Sequence, residues 1–569
     1  MRPLDWVVLV GSLTSIIVYG LYRSRGSNTV SQYLLAGRSM PWYAMALSIM
    51  ATQASAVTFI STTGQSYVDG MRFVQFYFGL PLAMVVLCAT AVPIFHRAKV
   101  YTAYEYLENR FDAKTRALAS AIFLIQRGLA VGLTLYAPAI VLSVILGWHD
   151  TATTVIVGCT VVLYTVMGGI RAVTWTDVQQ MLIIFFGLLV ALCTIFVLLP
   201  DQVSPLDAMH LAGFAGRLNA VDLSFDWDNR YNLWSGLIGG MFLALSYFGC
   251  DQSQVQRYLT GRSIAQSRLS LLFTAMAKIP MQFFILFIGA MVFVFYLFEM
   301  PPMLFQQAEL SRLQQPALQG QYQPILGRYR QAYQQRRQAA FALVEARHRH
   351  DPDLERQSVA AFRQSQRELD AAREQGSRLV DRVTGQNGFK DTNYIFLSFV
   401  THYLPPGIVG LVIAVIFAAA MSSSSGEINS LATVTVVDIY RRHVKRSGSD
   451  RHYLWASRLA TAFWGAYAVV FAGYGKNLGS LIEAVNLLGS LFYGSLLGVF
   501  VLAFFFRQVN GHGAFWGMLA GEAAIFAAFC FTGISFLWYN VIGCVVVVAA
   551  GLAISYACPS SAATPSTAG

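Results

Sequence analysis

The sequence predicts an all-α polytopic membrane protein, and three observations predict it. Of 569 residues, 56% are hydrophobic and only 12% are charged, about half the charged share of a soluble domain. Mean hydropathy is +0.51. Apolar runs close to the roughly 20 residues that cross a hydrocarbon core recur thirteen times along the chain. The 27 Tyr, 40 Phe and 10 Trp suit a helical bundle with interfacial aromatics. This composition excludes a soluble enzyme, a disordered chain and a disulfide scaffold. The spans are helices because backbone polar groups in lipid must pair within their own segment.

In chain order the spans cover approximately residues 6–22, 41–66, 73–95, 117–147, 153–169, 176–199, 233–256, 270–298, 407–437, 455–474, 478–506, 512–532 and 536–557. The first run has a signal-peptide length, but it lacks a basic n-region and a small-residue cleavage site, so it counts as a span. With the N-terminus outside, the short inner loops hold 18 Lys and Arg and the short outer segments hold 5. That asymmetry predicts N-terminus out and C-terminus in the cytoplasm. It also accounts for the net charge of +11 without a nucleic-acid partner. The expected setting is the plasma membrane, in a bacterium the inner membrane. The seven Cys make no CxxC pair, so neither a disulfide framework nor a Cys-based metal site is expected.

The chain divides into residues 1–300 with spans one to eight, an insert at 301–390, and residues 391–569 with spans nine to thirteen. The insert is rich in Gln and Arg. Its apolar positions recur at near-helical spacing (Ile325, Tyr329, Tyr333, Ala340, Val344, then Leu354, Phe362, Leu369, Leu379, Val383). Asp351-Pro352-Asp353 between the two sets is a turn and N-cap signal. The pattern predicts an antiparallel helical hairpin outside the membrane, either binding an extracytoplasmic protein partner or capping the substrate path. Nine acidic residues interleave with its basic ones, which marks a solvated face rather than a nucleic-acid surface.

Two segments carry chemistry. In "FAAAMSSSSGEINSLATVTVVDIY", Phe417 to Tyr440, four serines, Glu427 and Asn429 interrupt an apolar span. Polar groups at membrane depth face a bundle interior or an ion path, and hydroxyls with backbone carbonyls are hard oxygen ligands. A tight helix–helix seam is the competing reading. The second segment is "LSIMATQASAVTFISTTGQ", Leu47 to Gln65, with Thr52, Gln53, Ser55 and Thr58 at its middle. These residues permit an unwound helix, the usual way transporters expose carbonyls at the midplane; a hydroxyl-lined packing seam is again the alternative.

The segments "SAVTFISTTGQSYVDG", "VYTAYEYLENRF", "YTVMGGIRAVTWTDVQQ", "YFGCDQSQVQRYLTGRS" and "NSLATVTVVDIY" together resemble the sodium:solute symporter family, nearest its iodide, monocarboxylate and vitamin branch. The resemblance implies a LeuT-like fold, with two inverted five-helix repeats in spans two to six and seven to eleven. It implies sodium (Na+) as the driving ion. By that likeness the sodium ligands are the carbonyls of Ala51, Ala54 and Ala419 and the hydroxyls of Ser422 and Ser423. Asp177 matches an acid on the sodium exit path; capping the sixth span is the structural alternative, and one residue can serve both roles. Substrate positions implied in the same way are Gln53, Ser55, Thr58, Tyr77, Tyr247 as an inner gate, and Lys278. Where sugar carriers of the family grip hydroxyls, this chain has Thr58, Tyr77 and Ala244, a set too poor in hydrogen-bonding groups for a polyol. A small organic or inorganic anion is expected instead.

The implied function is therefore sodium-coupled secondary active import of a small solute by alternating access. The alternative is a membrane sensor built on a transporter fold, and the roughly 12 residues after the last span argue against an appended signalling domain. No Walker motif, metal motif or nucleophile–base pair points to an enzyme.

Overall fold

The computed structural model describes residues 2–24, 29–146, 150–385, 388–473 and 481–558. Arg25 and Lys476 of the charge census and the Ala/Ser/Pro-rich end lie outside them. Each of the thirteen apolar segments falls on helix. Nine helices of the described residues are long and apolar enough to cross a membrane, and a bent pair makes a tenth. The helices Ala152–Leu163 and Ser235–Gly249 are shorter. The helix Asp450–Ala472 is diluted by Trp455, Arg458, Trp464 and Tyr467.

The elements that build the site are these. Helix α1 spans Pro3–Ser24. Helices α2 (Trp42–Gln53) and α3 (Thr58–Asp69) form one span bent by 59°. Helix α4 covers Met71–Ala98, α5 Ala113–Leu146 and α6 Asp150–Val197. In α6 two spans join across a kink at Gly169, whose φ of 59° is a left-handed value that favours glycine. Helix α7 (Ser235–Gly249) stops at Cys250, and α8 (Gln252–Leu259) restarts under an Asp251 cap. The seventh span is thus interrupted, as the second is. Helix α9 is Ile264–Phe298.

Beyond α9, helices α10 (Gln319–Arg349) and α11 (Pro352–Thr384) meet at a left-handed His350 and an Asp351 N-cap. They pack through Tyr322, Tyr329, Tyr333, Leu369 and Leu379 into a hairpin with its own small core. The chain returns through α12 (Ile395–Tyr403) to α13 (Ile408–Val444). Helix α14 (Asp450–Ala472), α15 (Leu481–Phe505), α16 (Gly511–Phe531) and α17 (Phe536–Ala557) complete the chain.

Helix α13 is the hub, with 89% of its apolar window buried, so its polar residues meet protein rather than lipid. Asp5 of α1 accepts the amides of Gly407 (2.6 Å) and Gly410 (3.2 Å), capping its start. At its other end Asp438 pairs with Arg116 at the start of α5, and Arg116 also binds Glu108 at 2.7 Å.

Candidate functional site

The site begins with a helix that runs out of donors. The amide of Ala54 donates to the Met50 carbonyl at 2.8 Å. The ladder then stops, and the next amides, of Thr58 and Phe59, turn to the Ser55 carbonyl. A helix end leaves four carbonyls without intrahelical partners; here they are those of residues 51 to 54. Thr52's accepts the Ser423 hydroxyl at 3.1 Å, and Gln53's accepts the Thr58 hydroxyl at 3.0 Å. The carbonyls of Ala51 and Ala54 accept no hydrogen bond from the described residues.

The serine run of α13 faces this break. Ser423 Oγ lies 3.1 Å from the Ala419 carbonyl as well as from that of Thr52. Ser422 Oγ donates to Asp177. Ala51, Ala54 and Ala419 are fully buried, and Ser422 and Ser423 nearly so. The two polar segments read from the sequence therefore meet across one interface, where the oxygens are carbonyls and hydroxyls. Such neutral, hard donors suit a small alkali cation. Among the described residues no group of three or more His, Cys, Asp or Glu is placed to hold a metal ion.

Asp177 lies within α6, past the Gly169 kink, rather than at a helix cap. It accepts from Ser48 at 2.5 Å and from Arg257 at 2.6 Å, all fully buried. A second ionic cluster joins Arg127 to Asp251, to Glu427 at 3.0 Å and to the Tyr493 hydroxyl at 2.5 Å. The Tyr493 hydroxyl in turn donates to Asp251 at 2.7 Å. Sequence reasoning missed Arg127 and Arg257 as partners here. The only signal was two arginines in or beside apolar spans, with carboxylates at positions far away in the chain.

The residues expected to meet substrate fall into three places, at the break, between α9 and α4, and beside Arg127. Gln53 and Ser55 are half-buried at the break itself, and Thr58 opens α3. Lys278, fully buried on α9, holds its ammonium 5.2 Å from the centre of the Tyr77 ring. Tyr247 packs on Phe248 and Tyr493, lies under Arg127, and accepts a bond from Gln254 at 2.8 Å. The Gln53 side-chain oxygen, the Lys278 ammonium and both polar atoms of Gln282 are buried without a hydrogen-bond partner among the described residues. Gln282 was missed, although a Gln one turn beyond a Lys inside an apolar span was a visible signal. A separate cavity of about 210 Å³ lies at the far end of α3, between Asp69, Arg72, Asn229 and Tyr231. None of the expected site residues lines it.

The sodium:solute symporter family model matches residues 33–309 and 378–521, leaving most of the hairpin unmatched. The sodium-coupled monocarboxylate transporter 1 of Xenopus laevis is 27% identical over 91% of this chain and 71% of its own length. The sodium/sialic acid symporter SiaT of Proteus mirabilis is 27% identical over 96% of this chain and 94% of its own. A solved Na+-coupled sialic acid symporter, substrate-bound and outward-open, superposes with a TM-score of 0.74. That match is at 25% identity and covers 98% of each chain. The fold is the LeuT-like one. These relatives are transporters rather than enzymes, and the sensor alternative finds no support among them. On this evidence the chain belongs to the sodium:solute symporter family and is a multi-pass membrane transporter coupled to sodium.

Proposed function

We propose that sodium binds where α2 breaks against α13, and that the coupled solute is a small anion held beside the same break. The observation that carries this reading is the pair of carbonyls at Ala51 and Ala54 that accept no hydrogen bond among the described residues, in the same helix end whose Thr52 carbonyl meets the Ser423 hydroxyl. The Ala419 carbonyl completes the shell, and Asp177 stands one hydrogen bond away on the route sodium takes inward. Gln53, Ser55, Thr58, Tyr77, Tyr247 and Lys278 form the solute site. Lys278 favours an anion because a buried ammonium calls for a counter-charge.

Sodium bound to both segments ties the unwound stretch of α2 to α13 and favours the state with a formed solute site. The solute then binds, and rocking carries both ligands inward. Coupling requires each ligand to bind the two states unequally. The membrane potential adds about 2.3 kcal/mol per charge per 100 mV. The N-terminus lies outside, the C-terminus in the cytoplasm of a plasma membrane (the inner membrane in a bacterium), and the 301–390 hairpin is extracytoplasmic. Its exposed charged side chains, mostly basic on α10 and mixed basic and acidic on α11, either meet an extracytoplasmic protein partner or cap the solute path.

The test is Ser423→Ala in proteoliposomes. Losing one hydroxyl ligand raises the half-saturating sodium concentration for uptake roughly tenfold or more, the equivalent of about 1.4 kcal/mol, while the protein still folds. Unchanged sodium activation would refute the assignment.

A further inference from the structure

Lys278 and Gln282 stand four residues apart in α9, so they project from one helix face. Both are fully buried. The ammonium, the amide nitrogen and the amide oxygen all lack a hydrogen-bond partner among the described residues, and the ammonium lies 5.2 Å from the centre of the Tyr77 ring. Pro280, between them, removes an amide from the ladder.

The packing register sets this stretch of α9 alongside the broken span. Helix α9 touches α2 where Phe273 meets Trp42, with ring centres 5.7 Å apart. It touches α3 where the Ser66 hydroxyl donates to the Leu286 carbonyl at 2.6 Å. Lys278 and Gln282 lie between those contacts on one helix, as Ala54 and Ser55 lie between Trp42 and Ser66 on the other.

Buried polar groups are almost always paired, and an unsatisfied one costs its full desolvation. Three orphaned atoms on one face therefore describe what completes them. We infer that Lys278 and Gln282 form a recognition pair for a small carboxylate that carries a hydrogen-bond donor beside its carboxyl group, such as a 2-hydroxy acid. The ammonium takes the charge. The amide N–H donates to the second carboxylate oxygen, and the amide oxygen accepts from the neighbouring hydroxyl. Exchanging the two ends of the amide leaves one donor and one acceptor in place. A halide fills the first two demands and leaves the amide oxygen unpaired. A simple fatty acid does the same, and a polyol leaves the ammonium without a counter-charge. A site built around a hydrogen bond discriminates strongly against an analogue that lacks it.

The pairing rests on the symport reading above and adds Gln282 as the specificity residue. The test compares sodium-driven uptake of lactate, propionate and iodide in proteoliposomes of the wild type, Lys278→Met and Gln282→Leu. The wild type prefers lactate to propionate at least tenfold in kcat/KM. Gln282→Leu brings that ratio close to one, and Lys278→Met raises KM for both acids tenfold or more. Size-exclusion profiles and the sodium-induced rise in Tm report folding and the sodium site in each variant; Lys278→Met removes an unpaired buried charge and leaves Tm no lower. A lactate preference that survives Gln282→Leu, a KM unmoved by Lys278→Met, or a wild type that favours iodide or propionate overturns the pairing. A wild type whose uptake of every solute ignores sodium overturns the symport reading instead.

Discussion

A methyl group at position 64 has nowhere to go. A Cβ built on Gly64 lies 2.0 Å from the Thr392 carbonyl oxygen and 3.0 Å from its carbon. Both are backbone atoms, so neither can swing aside as a side chain would. Gly64 belongs to α3, the second half of the broken span, and Thr392 begins the turn that leads from the hairpin into α12. The close approach seats that turn on α3. Gly64→Ala is expected to destabilise by about 1–3 kcal/mol, as overpacking does, and to lower Tm in detergent. Gly320→Ala in α10 is the control: nothing lies within 4 Å of its added methyl. There the change is within about 0.5 kcal/mol, tilted towards stability because alanine is the better helix former. Equal Tm values for the two variants would show that the approach at Gly64 carries no packing constraint. At this scale legibility was uneven. Ser422 and Ser423 stood out because hydroxyls are conspicuous in an apolar span, and Gln53 and Thr58 for the same reason. Gln282 was as polar but stood alone, and only its orphaned atoms distinguish it from a glutamine that bonds a neighbouring helix.

Among the elements, the hairpin was readable as two helices and a turn, since the near-helical apolar spacing and Asp351-Pro352-Asp353 are local signals. Its seat was not readable. Helix α9 ends at Phe298, and its last carbonyls are taken by hairpin side chains. Arg336 donates to the Tyr296 carbonyl at 2.7 Å and Tyr333 to that of Phe298 at 2.8 Å. A guanidinium also suits the negative end of the helix dipole. A second contact lies at the hairpin's tip, where Arg347 (2.9 Å) and His348 (3.2 Å) meet Asp207 on the short helix Pro205–Phe214. Burial alone would raise the Asp207 carboxyl; the Ser204 hydroxyl and amide, with His348, outweigh it and hold it below the ordinary range. A depressed carboxyl contributes stability above its unfolded pKa of about 3.9, and that contribution is lost as pH falls through the still lower folded value. The tip contact therefore holds from neutral pH down to about 4 and loosens only below that. Hydrogen exchange at residues 343–349 against pH checks it. Protection lost already at pH 6 would exclude the carboxylate as the latch, and Asp207→Asn should reproduce the acid state at neutral pH.

Across the whole molecule, the helices were legible because lipid demands long apolar runs, and the break was legible because small polar residues interrupt one. The ionic ties between helices were not, because their partners lie 124 and 300 residues apart for Arg127 and 80 for Arg257. No local pattern pairs them. Yet these ties join what any rocking motion must move. Arg127 of α5 holds Asp251, at the break between α7 and α8, together with Glu427 of α13 and Tyr493 of α15. One guanidinium on α5 thus serves two carboxylates and a phenol from three other parts of the fold, inside protein where water cannot replace it. Removing it strands two buried carboxylates, whereas neutralising Glu427 leaves the Arg127–Asp251 pair intact and relieves an excess of negative charge. Arg127→Met should cost about 3–5 kcal/mol, the usual penalty for breaking a buried ion pair from one side. Glu427→Gln should cost less than half of that, since its amide oxygen still accepts the Arg127 bond. Asp251→Asn falls between them, because Asp251 also caps α8 through the Ser253 amide at 2.8 Å. Thermal unfolding in detergent ranks the three. If Arg127→Met unfolds no earlier than Glu427→Gln, the guanidinium is not the tie that holds the interrupted seventh span against α13, and the cluster is a bystander to the motion.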